Sequence, residues 1–231
     1  MDAGPVDAAL GGGLARGAVH EIFPTHAADI AAAAGFAAGL TLRASPQAPL
    51  LWIRHKRSEI ETGALYAPGL AEMGLNANQM IVVHVSAIAD GLRAGLEGMR
   101  CTGLGAVIIE AWGESKHFNL TASRKLALAA QESGVTGILL RALAEAEPSA
   151  AATRWQVEAA LSSDPLGLPG RTTFSAHLLR QRKGLAGGQW TLEWSNEEHR
   201  FTQKALSRPV AAPHFDRPVA PSVPSQWAKA G

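Results

Sequence analysis

Five short apolar segments alternate with longer segments whose apolar residues recur every three or four positions, and this alternation constrains the fold more than any other feature of the sequence. Residues 18–23 (AVHEIF), 50–54 (LLWIR), 80–85 (MIVVHV), 106–110 (AVIIE) and 137–141 (GILLR) carry the β-branched and aliphatic side chains that suit a pleated surface. Between them lie residues 27–42, 59–73, 88–101 and 120–132. There, spacings such as Leu92, Leu96 and Met99 mark one face of a helix, and the 59–73 stretch is broken near Pro68. Strand and helix in repetition predict an α/β fold with a mostly parallel central sheet flanked by helices. Four of the five strand segments are near-continuous apolar runs, as expected of strands covered on both faces. Gly35 with Gly39, and Gly91 with Gly95, lie four apart in helical segments, and close packing of helix on sheet is the expected reason.

After Arg141 the pattern changes. Residues 154–161, 172–183 and 189–195 read as strands with no helices between them, which predicts an antiparallel extension of the sheet, with the glycines of 185–188 (LAGG) forming a hairpin turn. Residues 202–231 hold five of the chain's 13 prolines and repeat R-P-V-A at Arg208 and Arg217. An extended or disordered tail is expected there. Pro209, Phe215, Pro218 and Trp227 are the tail positions suited to contact a partner.

The charge balance narrows the function. With 21 Lys and Arg against 20 Asp and Glu the formal charge is +1, whereas a domain that wraps nucleic acid is usually strongly basic. One cysteine, Cys101, cannot form an internal disulfide, and the first residues lack the basic-then-apolar layout of a signal peptide, so a reducing cytoplasm is expected. Residues 27–42 form the longest apolar run, but it carries Asp29 and is mostly alanine and glycine, so no membrane span is expected.

A doubly wound sheet binds ligands at the carboxyl ends of its strands, and the first loop to inspect is 22–35, IFPTHAADIAAAAG. A phosphate-cradling loop needs glycines, then a lysine and a serine or threonine, and this loop has none of them in place. The preceding stretch, VDAALGGGLARGAVHEIF at 6–23, nevertheless resembles the entry to a RecA-type core, in which a glycine-rich turn leads into the first strand. More narrowly, ALYAPGLAEMGL at 64–75, LTASRKLALAAQESGVTGILLR at 120–141 and SAAATRW at 149–155 resemble the ImuA family of RecA-related inducible mutagenesis proteins. The resemblance spans residues 6–195 and implies a RecA-like core over 1–200, followed by the proline-rich tail at 201–231.

Laid over the RecA pattern without gaps, the phosphate-loop glycine, lysine and threonine fall on Asp29, Ile30 and Ala31, in a loop that opens at Pro24. The water-activating glutamate of RecA-type enzymes falls within Arg54, His55, Lys56 and Arg57, and the magnesium-organising acidic position falls on Glu110. The resemblance thus implies a degenerate site with no nucleotide cofactor, no metal and no catalytic residue. It also implies partners: an ImuB-type inactive relative of Y-family polymerases, and through it an error-prone polymerase of the replicative alpha-subunit type and the sliding clamp. RecA itself is a further possible partner. The expected role is a non-catalytic adaptor in SOS-induced translesion synthesis. RecA filaments use an N-terminal helix, while this chain begins only a few residues before its core, so autonomous filament assembly is not expected.

Other readings stay open. Arg54, Lys56 and Arg57 at one strand end, and Arg180, Arg182 and Lys183 in one hairpin, could contact phosphates, which would make the chain a single-strand DNA-binding or RecA-modulating module. A cell-division inhibitor of the SulA kind, another shortened RecA relative, and a residual ATPase are the remaining alternatives. No C-x-x-C or H-E-x-x-H pattern points to a metal, and the tripeptide Asn119-Leu120-Thr121 is a chance match to a glycosylation acceptor.

Overall fold

The computed structural model describes residues 1, 3–162, 170–182, 184 and 187–203. Nine strands form one sheet in the order β3-β2-β4-β5-β1-β6-β7-β8-β9. They are β1 (Val19–Pro24), β2 (Leu50–His55), β3 (Met80–Val85), β4 (Ala106–Trp112), β5 (Thr136–Ala142), β6 (Thr153–Ala159), β7 (Thr173–Gln181), β8 (Gln189–Ser195) and β9 (Arg200–Gln203). The first six are mutually parallel, and the last three extend the sheet antiparallel from β6. The helices are α1 (Gly4–Ala9), α2 (Ile30–Ala44), α3 (Lys56–Thr62), α4 (Ala67–Glu72), α5 (Ile88–Arg100) and α6 (Leu120–Ser133). Both the parallel core and its antiparallel extension agree with the sequence pattern.

Each face of the sheet has its own core. On one side α2 packs over an aromatic cluster, with Phe36 5.1 Å from Phe201, 5.7 Å from Phe174 and 5.9 Å from Trp155 between ring centroids. The alanine and glycine content of α2 follows from this crowding, since a Cβ on Gly39 would lie 2.6 Å from Phe201 Cζ. The segment Ala27–Ala44 is long and apolar enough to cross a membrane by composition, and here it is the buried core helix of this face. On the other side α5 and α6 cover Ile53, Ile109 and Leu139. A Cβ at Gly95 would overlap Ile109 Cδ1, so the small residues of α5 set how closely that helix approaches the sheet.

Local signals explain most element ends. Asn119 caps α6 by accepting the Ala122 N–H at 3.0 Å, and Gly134, at φ 82°, ends that helix in the left-handed conformation. Pro68 does not break the 59–73 stretch. It lies in the first turn of α4, where a missing N–H costs nothing, and the break falls instead at Gly63, φ 80°. The apolar run of β3 is also not covered on both faces: it is an edge strand among the described residues, and Ile81 and Val82, on its two faces, are exposed.

His20 in β1 is wholly buried. Its Nε2 lies 2.8 Å from the Ala15 carbonyl, which can only accept, so Nε2 carries the proton and Nδ1 accepts from the Thr153 hydroxyl at 2.8 Å. The same hydroxyl oxygen accepts from Trp155 Nε1 at 2.8 Å. Burial pushes the His20 imidazole down to about 4. At the far edge, β9 carries the sheet through Gln203, past the expected end of the core, with Phe201 fully buried. The tail positions Pro209, Phe215, Pro218 and Trp227 lie outside the described residues, as does Lys183.

Candidate functional site

The loop between β1 and α2 is held by its own side chains. Pro24 closes β1 opposite Val157 of β6, and the Thr25 N–H donates to the Val157 carbonyl at 3.0 Å. Asp29 is buried, and each of its carboxylate oxygens accepts a backbone N–H: Oδ2 that of His26 and Oδ1 that of Ala159 in β6, both at 3.0 Å. Ile30 packs into the core and Ala31 faces solvent. The position that resembles a phosphate-loop lysine is therefore a core aliphatic, and the carboxylate beside it fastens the loop to β6.

Two strands away, the opposite charges at the ends of β2 and β4 meet. Arg54 and Glu110 are paired neighbours in register, and both are buried. Arg54 Nε donates to Glu110 Oε2 at 2.8 Å and Nη2 donates to Oε1 at 3.1 Å, a two-pronged ion pair. The rest of the guanidinium reaches the end of α3, donating to the Gly63 carbonyl at 3.1 Å and the Thr62 hydroxyl at 3.2 Å. Trp52 Nε1 adds a third donor to Glu110 at 3.0 Å. Every nitrogen of the Arg54 guanidinium donates within the protein, and both Glu110 carboxylate oxygens accept. The expectation that Arg54 projects from the sheet to meet DNA is corrected accordingly. The strand carries it inward, on the Trp52 side of the sheet.

The other basic residues are not brought together. Lys56 and Arg57 are exposed on α3, with Arg57 3.5 Å from Glu61. Arg180 and Arg182 are exposed at the end of β7, where Arg180 donates to the Ser149 carbonyl at 2.9 Å. Between β2 and β7 lie five strand spacings, about 24 Å across the sheet, so the two clusters form separate surfaces.

A second buried ionic group, on the α5 and α6 side, was not anticipated from the sequence. Arg154 pairs with Glu21 through Nε at 2.9 Å and Nη2 at 2.8 Å, and it also donates to the Glu147 carbonyl and to Ser149 Oγ. Arg141 lies between the rings of Phe118, 4.5 Å from its centroid, and Phe23, at 5.5 Å. Burial lowers the Arg141 pKa below its usual value, while Glu21 and Glu114 pull it upward. An arginine within a strand segment, as at Arg54, Arg141 and Arg154, is the available signal, since a charge in a covered strand requires a partner.

The comparisons with known proteins agree with this architecture. No family model matches the chain. Among solved structures the RadB recombinase is similar with a TM-score of 0.57 and 14% identity, covering 87% of this chain and 96% of that one, which shows a RecA-like fold. Protein ImuA of Caulobacter vibrioides, from strains NA1000 / CB15N and CB 15, is 30% identical over 90% of this chain and 89% of its own length. With this identity over nearly the whole of both chains, and on this fold, the chain belongs to the ImuA family.

Proposed function

We propose that this chain is a non-catalytic adaptor of damage-induced mutagenesis. It binds an ImuB-type partner and through it supports an error-prone polymerase at the sliding clamp. Family membership supports the setting, and the observation that carries the non-catalytic part is the Arg54–Glu110 pair. Glu110, at the position that resembles RecA's magnesium-organising carboxylate, is held in a buried bond by Arg54 from the basic stretch 54–57 that resembles the water-activating region, while Asp29 and Ile30 stand at the phosphate-loop positions. Freed from a nucleotide cycle, the sheet acts as a rigid scaffold on which exposed surfaces serve partners. A single-strand-binding role draws on Lys56, Arg57, Arg180 and Arg182, whose separation gives it less support.

The test is co-purification with the ImuB-type partner at moderate salt, with and without ATP, beside a nucleotide titration. A complex indifferent to ATP, with no saturable nucleotide binding, is the expected result. Tight ATP binding with no partner retained refutes the adaptor reading. Truncation after Gln203 leaves β9 whole and asks whether the tail carries the contact.

A further inference from the structure

The outward face of α6 carries two cations that the fold does not use. Ser123, Leu126, Ala129 and Ala130 turn toward the sheet and are buried, while Arg124, Lys125 and Leu128 lie on the solvent side. Among the described residues neither the Arg124 nor the Lys125 side chain has a hydrogen bond or an ion pair. The sequence gives the reason, since ion pairs along a helix join residues three or four apart and no acidic residue stands at those distances from either one. On the neighbouring α5 each arginine on the outer face is matched one turn earlier, Arg93 to Asp90 at 3.6 Å and Arg100 to Glu97 at 2.9 Å.

Beside these cations the helix exposes aliphatic surface. Leu128, one turn beyond both, is 58% exposed, and Leu120, one turn before Arg124, is 38% exposed. Leu120, Arg124 and Leu128 follow one another at intervals of four, a stripe about 12 Å long on one side of the helix. A lone exposed leucine is ordinary on a protein surface, so the unmatched charges next to it are what distinguish this stripe. Ile60 on α3 is more exposed, but the charges around it are spent on each other, Arg57 on Glu61 and Glu59 on His84. The charge pattern of α6 specifies the complement. Arg124 and Lys125 call for anionic groups and Leu128 for an apolar one, a combination that an acidic peptide segment supplies and a phosphate backbone does not.

We infer that α6 is the face on which the ImuB-type partner docks, through an acidic segment whose carboxylates pair with Arg124 and Lys125 while an apolar side chain covers Leu128. This rests on the adaptor reading and gives it a surface. The test titrates the purified ImuB-type partner against the full chain and three variants, each checked for an unchanged circular dichroism spectrum. Arg124→Gln with Lys125→Gln should weaken binding about tenfold or more, and Leu128→Ser about tenfold. Arg93→Gln with Arg100→Gln, which removes the same net charge from α5, should change it by less than about twofold. Raising salt should weaken the wild-type complex more than that of the α6 double variant. Wild-type affinity in the α6 variants, or an equal loss in both double variants, overturns the inference and leaves the adaptor reading standing. No complex with the wild-type chain overturns both. A labelled single-stranded oligonucleotide that loses affinity with the α6 double variant, while partner binding is unchanged, assigns the two cations to phosphates instead and likewise overturns it.

Discussion

Acid should remove about 3 kcal/mol of stability through His20 alone. In the unfolded chain this imidazole takes a proton near its usual value of 6.5, whereas in the fold it resists protonation until about 4. Between those values the unfolded state holds more protons, so stability falls as pH falls. The contribution is whole above about pH 6.5 and gone below about pH 4. At about 1.4 kcal/mol for each pH unit between the two values, the loss comes to about 3 kcal/mol, a large share of a typical domain's roughly 5–15 kcal/mol. The geometry explains the resistance. A second proton on Nδ1 turns it into a donor facing Thr153 Oγ1, which already accepts from Trp155, and places a charge where no carboxylate is paired with the ring. Urea unfolding followed by tryptophan fluorescence from pH 4.5 to 8 measures it, with His20→Gln as the non-titrating control. The wild-type protein should lose about 2 to 3 kcal/mol more than the variant across that range, by the linkage just given. Parallel pH profiles for the two proteins would refute the assignment, whatever their absolute stabilities.

Arg54→Met alone should cost about 3–5 kcal/mol by stranding Glu110, and the double variant Arg54→Met with Glu110→Met should recover most of it; denaturation midpoints of these two and of Glu110→Met alone complete the double-mutant cycle. Gly95→Ala should destabilise by about 1–3 kcal/mol because its Cβ meets Ile109 Cδ1, and Ile109→Val in the same chain should relieve it, as thermal unfolding would show. Asp29→Ala removes the acceptor for two backbone N–H groups and should cost about 2 kcal/mol, with faster amide exchange at His26 and Ala159 as the local readout.

The parallel half of the fold is legible in the sequence because apolar strand runs and helical periodicity are local patterns. Residues 80–85 and 189–195 match β3 and β8 end to end, and β1, β2 and β4 to β7 differ by one or two residues at their ends. What local pattern does not carry is position within the sheet. MIVVHV reads like a central strand and lies at the edge, because an apolar run records β propensity and not the number of neighbours. The four-residue β9 escapes a sequence reading for a related reason: RFTQ is too short to show alternation, and only Phe201 seated among Phe36, Phe174 and Trp194 defines it. The pairing of Arg54 with Glu110 requires knowing that β2 and β4 are adjacent, although 56 residues separate the two side chains. The departure from a phosphate-loop pattern, by contrast, is readable residue by residue at Asp29, Ile30 and Ala31.

The central position of β1 bears on how the chain is made. This strand is made well before its hydrogen-bonding neighbours β5 and β6, and His20 and Thr153 are 133 residues apart. At synthesis rates of about 5–20 residues per second, the middle of the sheet waits roughly 7 to 27 s for its second flank. Until β5 is made VHEIFP has both edges unpaired, and a chain stalled before Thr153 cannot complete either the His20 network or the Glu21–Arg154 pair. Assembly of the middle of the sheet is therefore paced by the long loop that must close between β1 and β6 rather than by the local helices.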